Sequence, residues 1–224
     1  MSAEIRMQRL PRQQRVILAG PAGALEALIE EPEGYDRTRF GVVCHPHPLH
    51  GGTLDNKVVY TLARAFHDLG VPTLRFNFRG VGASEGAFAE GVGETDDALA
   101  AVARARARWP DAQPWLAGFS FGGAVAFRAA AQAGARCLVT VAPAVDRLEA
   151  LRSTPACPWL LVQGNEDDVV NAGEVLEWAS RQTAAPTVKV LEGAGHFFHG
   201  RLPELRAAVL EFASEVRAQA ASER

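Results

Sequence analysis

The fold of this chain is decided by the stretch Trp115-Leu116-Ala117-Gly118-Phe119-Ser120-Phe121-Gly122-Gly123-Ala124. An apolar run leads into Ser120, and an alanine-rich run follows it. This G-x-S-x-G pattern is typical of a nucleophile elbow, in which a buried strand ends, the chain turns sharply at the serine and a helix begins at once. Gly118 and Gly122 keep Cβ atoms out of that cramped turn. The stretch therefore predicts a serine hydroxyl presented at the end of a strand.

A second match to the same pattern is Gly82-Ala83-Ser84-Glu85-Gly86. Ser84 lies several residues past the predicted strand 71–78, and the glycine-containing flank 86–91 shows no helical periodicity. The bare pattern also occurs in ordinary glycine-rich loops, so its position between a strand and a helix decides its meaning. Ser84 is therefore predicted to lie in a surface loop, and Ser120 to be the nucleophile.

A nucleophilic serine needs a base that takes its proton and a third group that orients the base. Two apolar runs of strand length, 158–163 and 187–191, each lead into a loop that carries such a group. Asp167 lies in the first loop, and His196 lies in the second, after Gly-Ala-Gly. The order serine, aspartate, histidine along the chain is the order of an α/β-hydrolase.

Strands and helices alternate along the chain after an opening hairpin at 15–20 and 24–30. The further predicted elements cover, in order, residues 40–45, 56–69, 71–78, 94–108, 114–118, 121–133, 137–142, 158–163, 172–181, 187–191 and 203–219. This alternation predicts an α/β fold with a mainly parallel sheet covered by helices on both faces. Ligands of such sheets bind at the carboxyl ends of the strands, where the candidate residues lie. One domain over residues 1–224 is expected, since a chain of 224 residues with 48% hydrophobic content can fill a single core.

The chain resembles a small serine α/β-hydrolase from about residue 38 to the final helix. The resemblance rests on four places: the elbow, the loop His45–Gly52, the stretch Phe76–Gly80, and the two loops bearing the acid and the histidine. Within that superfamily the chain is similar to the lidless predicted hydrolases related to dienelactone hydrolases and carboxylesterases. It departs from dienelactone hydrolases proper, which use a cysteine where this chain has Ser120. The resemblance implies the α/β-hydrolase fold, Asp167 as the acid, and no cofactor.

Alternatives remain for the acid and the base. Asp168 is a neighbouring carboxylate, and Asp146 follows an earlier strand on which some hydrolases carry their acid. His199 competes with His196, although the Gly-Ala-Gly sequence favours His196 as the base. We favour Asp167 and His196 over these alternatives.

The oxyanion that forms when Ser120 attacks a carbonyl needs preorganised N–H donors. The amide of Phe121 is one candidate, because it follows the nucleophile at the start of the helix. The loop after strand 40–45 is expected to supply the other. Both prolines of that loop lack an N–H group, so His47 and Leu49 are the nearest donors, with Leu49 slightly favoured. The candidates for the wall of an apolar substrate pocket are Phe119, Phe197 and Phe198.

His45, His47 and His50 could instead form a metal cluster, since neutral imidazoles bind zinc, copper and nickel. The one further ligand of fitting spacing is Cys44, and its side chain should point to the opposite face of the strand from His45. The resemblance accounts for this loop without a metal. We therefore predict no metal site.

Three further predictions concern residues outside the candidate site. His67, inside a helix, is predicted to be solvated. For Arg79 we favour a structural role, paired with Glu85 or Asp96, over a place at the substrate entrance. Packing in the core or at the sheet edge, and no substrate contact, is predicted for Trp159 and Trp178.

The segment 143–158 is long enough for a loop and one short helix. No lid domain is therefore expected, and the cleft should be shallow and open. These features favour a hydrolase of small carboxylic esters, thioesters or lactones. Two alternatives are a hydrolase-like protein that only binds a ligand or partner, and an acyltransferase or peptidase with the same triad.

Composition limits the partners and the compartment. A net charge of -3 provides no basic surface for nucleic acid. The sequence begins without the layout of a secretory signal and has no apolar run long enough for a membrane span, which favours a cytoplasmic protein with a small-molecule substrate. The three cysteines, Cys44, Cys137 and Cys157, are expected to be reduced thiols. Nothing in the sequence indicates the oligomeric state.

Overall fold

The computed structural model describes residues 11–148 and 155–222, and an eight-stranded sheet lies at the centre of this part of the chain. The strands are β1 (Arg12–Gly20), β2 (Gly23–Glu31), β3 (Arg39–Cys44), β4 (Thr73–Phe76), β5 (Gln113–Phe119), β6 (Cys137–Val141), β7 (Trp159–Gly164) and β8 (Thr187–Leu191). The α-helices within the same residues are α1 (Lys57–Asp68), α2 (Val92–Arg108), α3 (Phe121–Ala133), α4 (Ala172–Ser180) and α5 (Leu202–Ser222).

The sheet has the strand order β1-β2-β4-β3-β5-β6-β7-β8. Pairing is parallel from β4 through β3 to β8, and antiparallel between β1 and β2 and between β2 and β4. This arrangement confirms the predicted fold class, a mainly parallel sheet with an opening hairpin. The parallel strands all end at one edge of the sheet, which gathers their following loops there.

Two apolar layers cover the two faces of the sheet. The first contains the buried sides of α2, α3 and α4, and the second those of α1 and α5. Alternation along β5 follows the period of two, since Trp115 and Ala117 belong to the second layer and Leu116 to the first. Trp159 and Trp178 are buried in the first layer with ring centroids 5.6 Å apart, as predicted.

The prediction for His67 was wrong, and so were the predicted partners of Arg79, although its contacts are structural. His67 is buried, because it lies on the side of α1 that faces the sheet, where its Nε2 is 2.9 Å from Thr73 Oγ1. Burial lowers the pKa of His67 to about 4. Arg79 pairs with Asp97, at 2.7 and 3.0 Å, because α2 turns Asp97 inward and leaves Asp96 exposed.

The connection between β6 and β7 determines how far the sheet edge is covered. It runs from Val141 to Trp159, and its described part contains one 3-10 turn, Val145–Arg147. This length excludes an inserted lid domain, as predicted. In the described residues, no helix combines the length and the apolar character that crossing a membrane requires.

Candidate active site

Ser120 forms a strained turn between β5 and α3. Its φ of 55° and ψ of -120° lie in a region that L-residues rarely adopt. A Cβ on Gly118 would lie 2.0 Å from the carbonyl oxygen of Gly122, and a Cβ on Gly122 would lie 2.3 Å from that of His45. Both contacts are with backbone, which cannot move aside cheaply. The turn therefore needs glycine at both positions, and it places Ser120 directly between a strand and a helix.

His196 lies between Ser120 and Asp167. Its Nε2 is 3.1 Å from Ser120 Oγ, and its Nδ1 is 2.8 Å from Asp167 Oδ2. The histidine side chain is 3% exposed and the aspartate side chain 0% exposed. A carboxylate only accepts hydrogen bonds, so Nδ1 carries the proton and Nε2 is left as an acceptor facing the hydroxyl.

The carboxylate of Asp167 is held by several donors. Oδ1 accepts from the amides of Val169 and Val170 at 2.9 and 2.8 Å, and Oδ2 accepts from Gln163 Nε2 at 3.0 Å. Burial alone would raise the pKa of Asp167, but the hydrogen bonds from His196 and from these two amides outweigh burial and lower it. Asp167 is therefore ionised at neutral pH and can orient the imidazole.

The alternative acid and base residues lie elsewhere. Asp168, Asp146 and His199 are all exposed. The contacts to Ser120 Oγ and to the far side of the imidazole are made by His196 and Asp167. Of the five candidates, the structure thus brings the two favoured by the sequence to the serine.

His45 fastens the loop that follows β3. It is fully buried, its Nδ1 donates to the carbonyl of Pro46 at 2.6 Å, and its Nε2 accepts from the amide of Phe78 at 3.0 Å. Burial lowers the pKa of His45 to about 4, which keeps the ring neutral. Within residues 11–148 and 155–222, no three His, Cys, Asp or Glu side chains are grouped so that they could hold a metal ion.

The same loop passes close to the start of α3, where an oxyanion would form. The absence of a Cβ on Gly122 allows the His45 carbonyl to lie against α3. Phe121 is the first residue of α3, so its N–H has no acceptor within the helix. The amide of Leu49 donates to His47 Nδ1 at 3.2 Å. The amide that the sequence slightly favoured as the second oxyanion donor therefore already has an acceptor.

The three predicted pocket aromatics occupy different environments. Phe119 is buried beneath the base, with its ring 4.9 Å from that of His196. Phe197 is 47% exposed, and its ring lies 5.1 Å from the same imidazole. Phe198 is fully buried in the second apolar layer. The structure thus brings Phe197 to the surface beside His196, but it does not bring Phe198 there.

Two residues near the serine have no sequence motif that indicates them. The ring of Phe88 lies 4.9 Å from His47 and 5.8 Å from Phe121. The guanidinium of Arg147 lies 5.3 Å above the Phe121 ring, and its Nη2 is 3.3 Å from His47 Nε2. Both come from loops at the same sheet edge, and only the fold brings these distant segments together.

Comparison with known proteins supports the fold and the family of this chain. A model of the α/β hydrolase fold family matches residues 49–155. An uncharacterized protein of Rickettsia prowazekii (strain Madrid E) is 31% identical over 209 residues, which are 88% of this chain and 87% of that protein.

Two solved structures are similar to the chain in both fold and sequence. A serine hydrolase without a lid from Xanthomonas campestris is 38% identical with a TM-score of 0.86, over 91% of this chain and 94% of that one. An α/β serine hydrolase homologue from Coxiella burnetii is 43% identical with a TM-score of 0.84, over 88% of this chain and 96% of that one.

Proposed function

Because the chain belongs to the α/β-hydrolase fold family, we propose that it is a serine hydrolase that cleaves small carboxylic esters, thioesters or lactones through an acyl-enzyme. The observation that supports this proposal is the continuous path of hydrogen bonds from Asp167 through His196 to Ser120. We further propose that residues 1–224 form one domain, since both apolar layers cover the same sheet.

Acylation begins when Ser120 Oγ attacks the carbonyl carbon of the substrate. His196 Nε2 takes the hydroxyl proton as the new C–O bond forms, and the carboxylate of Asp167 stabilises the resulting imidazolium. The amides of Phe121 and His47 donate to the oxyanion. His196 then gives its proton to the leaving alcohol or thiol as the bond to it breaks.

Deacylation repeats these steps with water as the nucleophile. His196 Nε2 removes a proton from water, which attacks the acyl carbon, and the same two amides hold the second oxyanion. The proton then returns to Ser120 Oγ as the acid is released. In a cleft without a lid the entering water has direct access to the acyl-enzyme.

The proposed nucleophile is tested by labelling with a fluorophosphonate probe. We expect the wild-type protein to be labelled, Ser120→Ala to lose labelling completely, and the matched variant Ser84→Ala to keep it. A panel of esters, thioesters and lactones should include at least one substrate that the wild-type protein hydrolyses at least about 10³-fold faster than Ser120→Ala does. Labelling that survives in Ser120→Ala would contradict the proposal.

The same panel tests the open cleft. Each methylene removed from water contributes only about 0.8 kcal/mol, and an open cleft buries few of them. We therefore expect short acyl chains to be preferred in kcat/KM. A steady rise through long chains would instead indicate an enclosed apolar channel.

A further inference from the structure

Two hydrogen-bond donors face the His47 ring, and a neutral ring can accept a hydrogen bond from only one of them. The amide of Leu49 points at Nδ1 from 3.2 Å, and Arg147 Nη2 lies 3.3 Å from Nε2. Burial lowers the pKa of His47, as do the nearby charges of His50 and Arg147, which favours the neutral ring. A neutral imidazole has one acceptor nitrogen, and arginine only donates. With Nδ1 accepting from Leu49, the N–H at Nε2 therefore faces another donor.

Among the described residues, the guanidinium of Arg147 forms one ion pair, and that pair is weak. The ion pair of Arg147 with Glu90 is 3.3 Å long, and the glutamate side chain is 77% exposed, so water weakens the attraction. Arg128 donates through Nη2 to the carbonyl of Arg147, and its buried Nε has no hydrogen-bond partner among the residues described. Burial and the charge of Arg147 lower the pKa of Arg128. Arg147 is thus paired with one exposed carboxylate, and Arg128 with a backbone carbonyl.

The donor cluster formed by His47 and Arg147 lies beside the proposed nucleophile. The amide of Ala144 donates to the carbonyl of Ser120 at 3.2 Å, and the amide of Arg147 donates to Ala144 at 3.2 Å. These bonds tie the segment that carries Arg147 to the elbow. The rings of His47 and Phe121 lie 5.0 Å apart, with the guanidinium above Phe121. His47 and Arg147 therefore lie against Phe121, the residue that follows Ser120.

We propose that His47 and Arg147 form a subsite for an anionic group of the substrate, a carboxylate or a phosphate. This inference rests on the proposed hydrolase function and specifies its substrate class. Two oxygens of such a group accept from His47 Nε2 and from Arg147 at once, which removes the conflict between the facing donors. Glu90 is the group that the anion displaces, and its exposure makes that displacement cheap. Arg147 is then a specificity-determining residue.

The test compares matched pairs of esters. One pair carries the charge on the acyl side, 4-nitrophenyl hydrogen glutarate against 4-nitrophenyl pentanoate. The other carries it on the leaving group, 4-acetoxybenzoate against its methyl ester. In at least one pair we expect wild-type kcat/KM to favour the anion by about 10- to 100-fold, the range of a charge-assisted hydrogen bond. The pair that responds identifies the side of the substrate that the subsite holds.

Arg147→Met should abolish this preference while the neutral ester reacts at nearly the wild-type rate. The exposed Arg181, paired with Glu177 on α4, provides the control Arg181→Met, which removes the same charge and should keep the preference. Equal slowing of both esters in Arg147→Met would show a merely structural role and overturn the inference. No preference for the anion in either wild-type pair would also overturn it.

A titration separates this inference from the proposed function. Glutarate and phenyl phosphate are titrated into Ser120→Ala by calorimetry, which requires no hydrolysis. Binding of either anion that is lost in the double variant Ser120→Ala, Arg147→Met supports the subsite, and the stronger ligand identifies carboxylate or phosphate. Absence of binding overturns the subsite even where esters are hydrolysed. Failure of the hydrolase proposal is seen separately, as absent labelling of Ser120.

Discussion

The two G-x-S-x-G segments differ in what their serine hydroxyls contact, although their burial is almost the same. Ser120 is 8% exposed and Ser84 7% exposed. Ser84 Oγ donates to the carbonyl of Asn77 at 2.7 Å and accepts from the amide of Glu26 at 2.9 Å. A carbonyl cannot take a proton, whereas the imidazole that faces Ser120 can. The hydrogen-bond partners therefore distinguish the proposed nucleophile from the structural hydroxyl, whereas the sequence pattern and the burial do not.

The glycines of the two segments also serve different purposes. Gly118 and Gly122 leave room for backbone that a Cβ would meet at 2.0 and 2.3 Å. Gly82 and Gly86 adopt positive φ angles of 60° and 86°, which glycine reaches without strain. The same glycine pattern thus allows close backbone packing in the elbow and positive φ angles in the loop.

The acidic residues near each serine provide the largest expected contrast. Asp167→Asn should lower kcat by about 10³- to 10⁴-fold, because an amide can donate to Nδ1 and so favours the wrong imidazole tautomer. Glu85→Gln should leave kcat unchanged, since the Glu85 carboxylate accepts from the backbone amide of Ala24 in the opening hairpin. Steady-state kinetics on one ester measures both. A similar loss in the two variants would remove the distinction between the segments.

The glycines allow a second comparison, measured as the free energy of unfolding in urea. Gly122→Ala forces a Cβ against backbone, and we expect a loss of about 3 kcal/mol or more, together with lower activity as the His45 loop moves. Gly82→Ala meets the side chains of Glu26 and Asn77 and no backbone within 3 Å, so its loss should be about 1 to 2 kcal/mol from the positive φ. Equal losses would contradict the packing explanation for the elbow.

Acid should weaken the loop that faces the elbow. The pKa of His45 is lowered to about 4, below an unfolded value of about 6.5, so its contribution to stability is full above that value and is lost as the pH falls towards 4. The loss approaches about 3 kcal/mol, and buried His67, with a pKa of about 4, adds to it. Urea unfolding between pH 7 and 4 measures the slope, and a flat profile would contradict the buried neutral rings.

The smallest effect is expected from Ser84→Ala. Its loss leaves the carbonyl of Asn77 and the amide of Glu26 without this partner, at a cost of about 1 to 2 kcal/mol in unfolding free energy. Activity should be unchanged, because the hydroxyl touches no base. Reduced kcat with unchanged stability would show that the loop takes part in the chemistry.

Local patterns predicted most of the fold. The helix 121–133 and the strand 187–191 have the predicted bounds, because apolar periodicity and flanking glycines act over a few residues. The strand predicted at 71–78 is shorter, β4 Thr73–Phe76, because the amide of Phe78 turns away to His45. Backbone hydrogen bonds to other parts of the fold decide where such a strand ends, and the sequence of one segment does not reveal them.

The candidate site could be predicted where it follows from the order of residues along the chain. It could not be predicted where it depends on contacts between distant segments. The serine, the aspartate and the histidine that the fold brings together follow the strands β5, β7 and β8. The contact of His47 with Arg147 joins residues 100 positions apart and follows no motif. The side chain of Phe198 points into the core since the backbone turns there at a φ of 52°, which alternation does not predict.

The spacing of the proposed catalytic residues has a consequence for protein synthesis. Ser120 precedes His196 by 76 residues. At roughly 5–20 residues per second, the ribosome needs about 4 to 15 seconds to make that interval. During it the elbow is already synthesised, but its hydroxyl has no base and is an ordinary alcohol. The proposed hydrolase activity therefore begins only when β8 and the loop after it have joined the sheet.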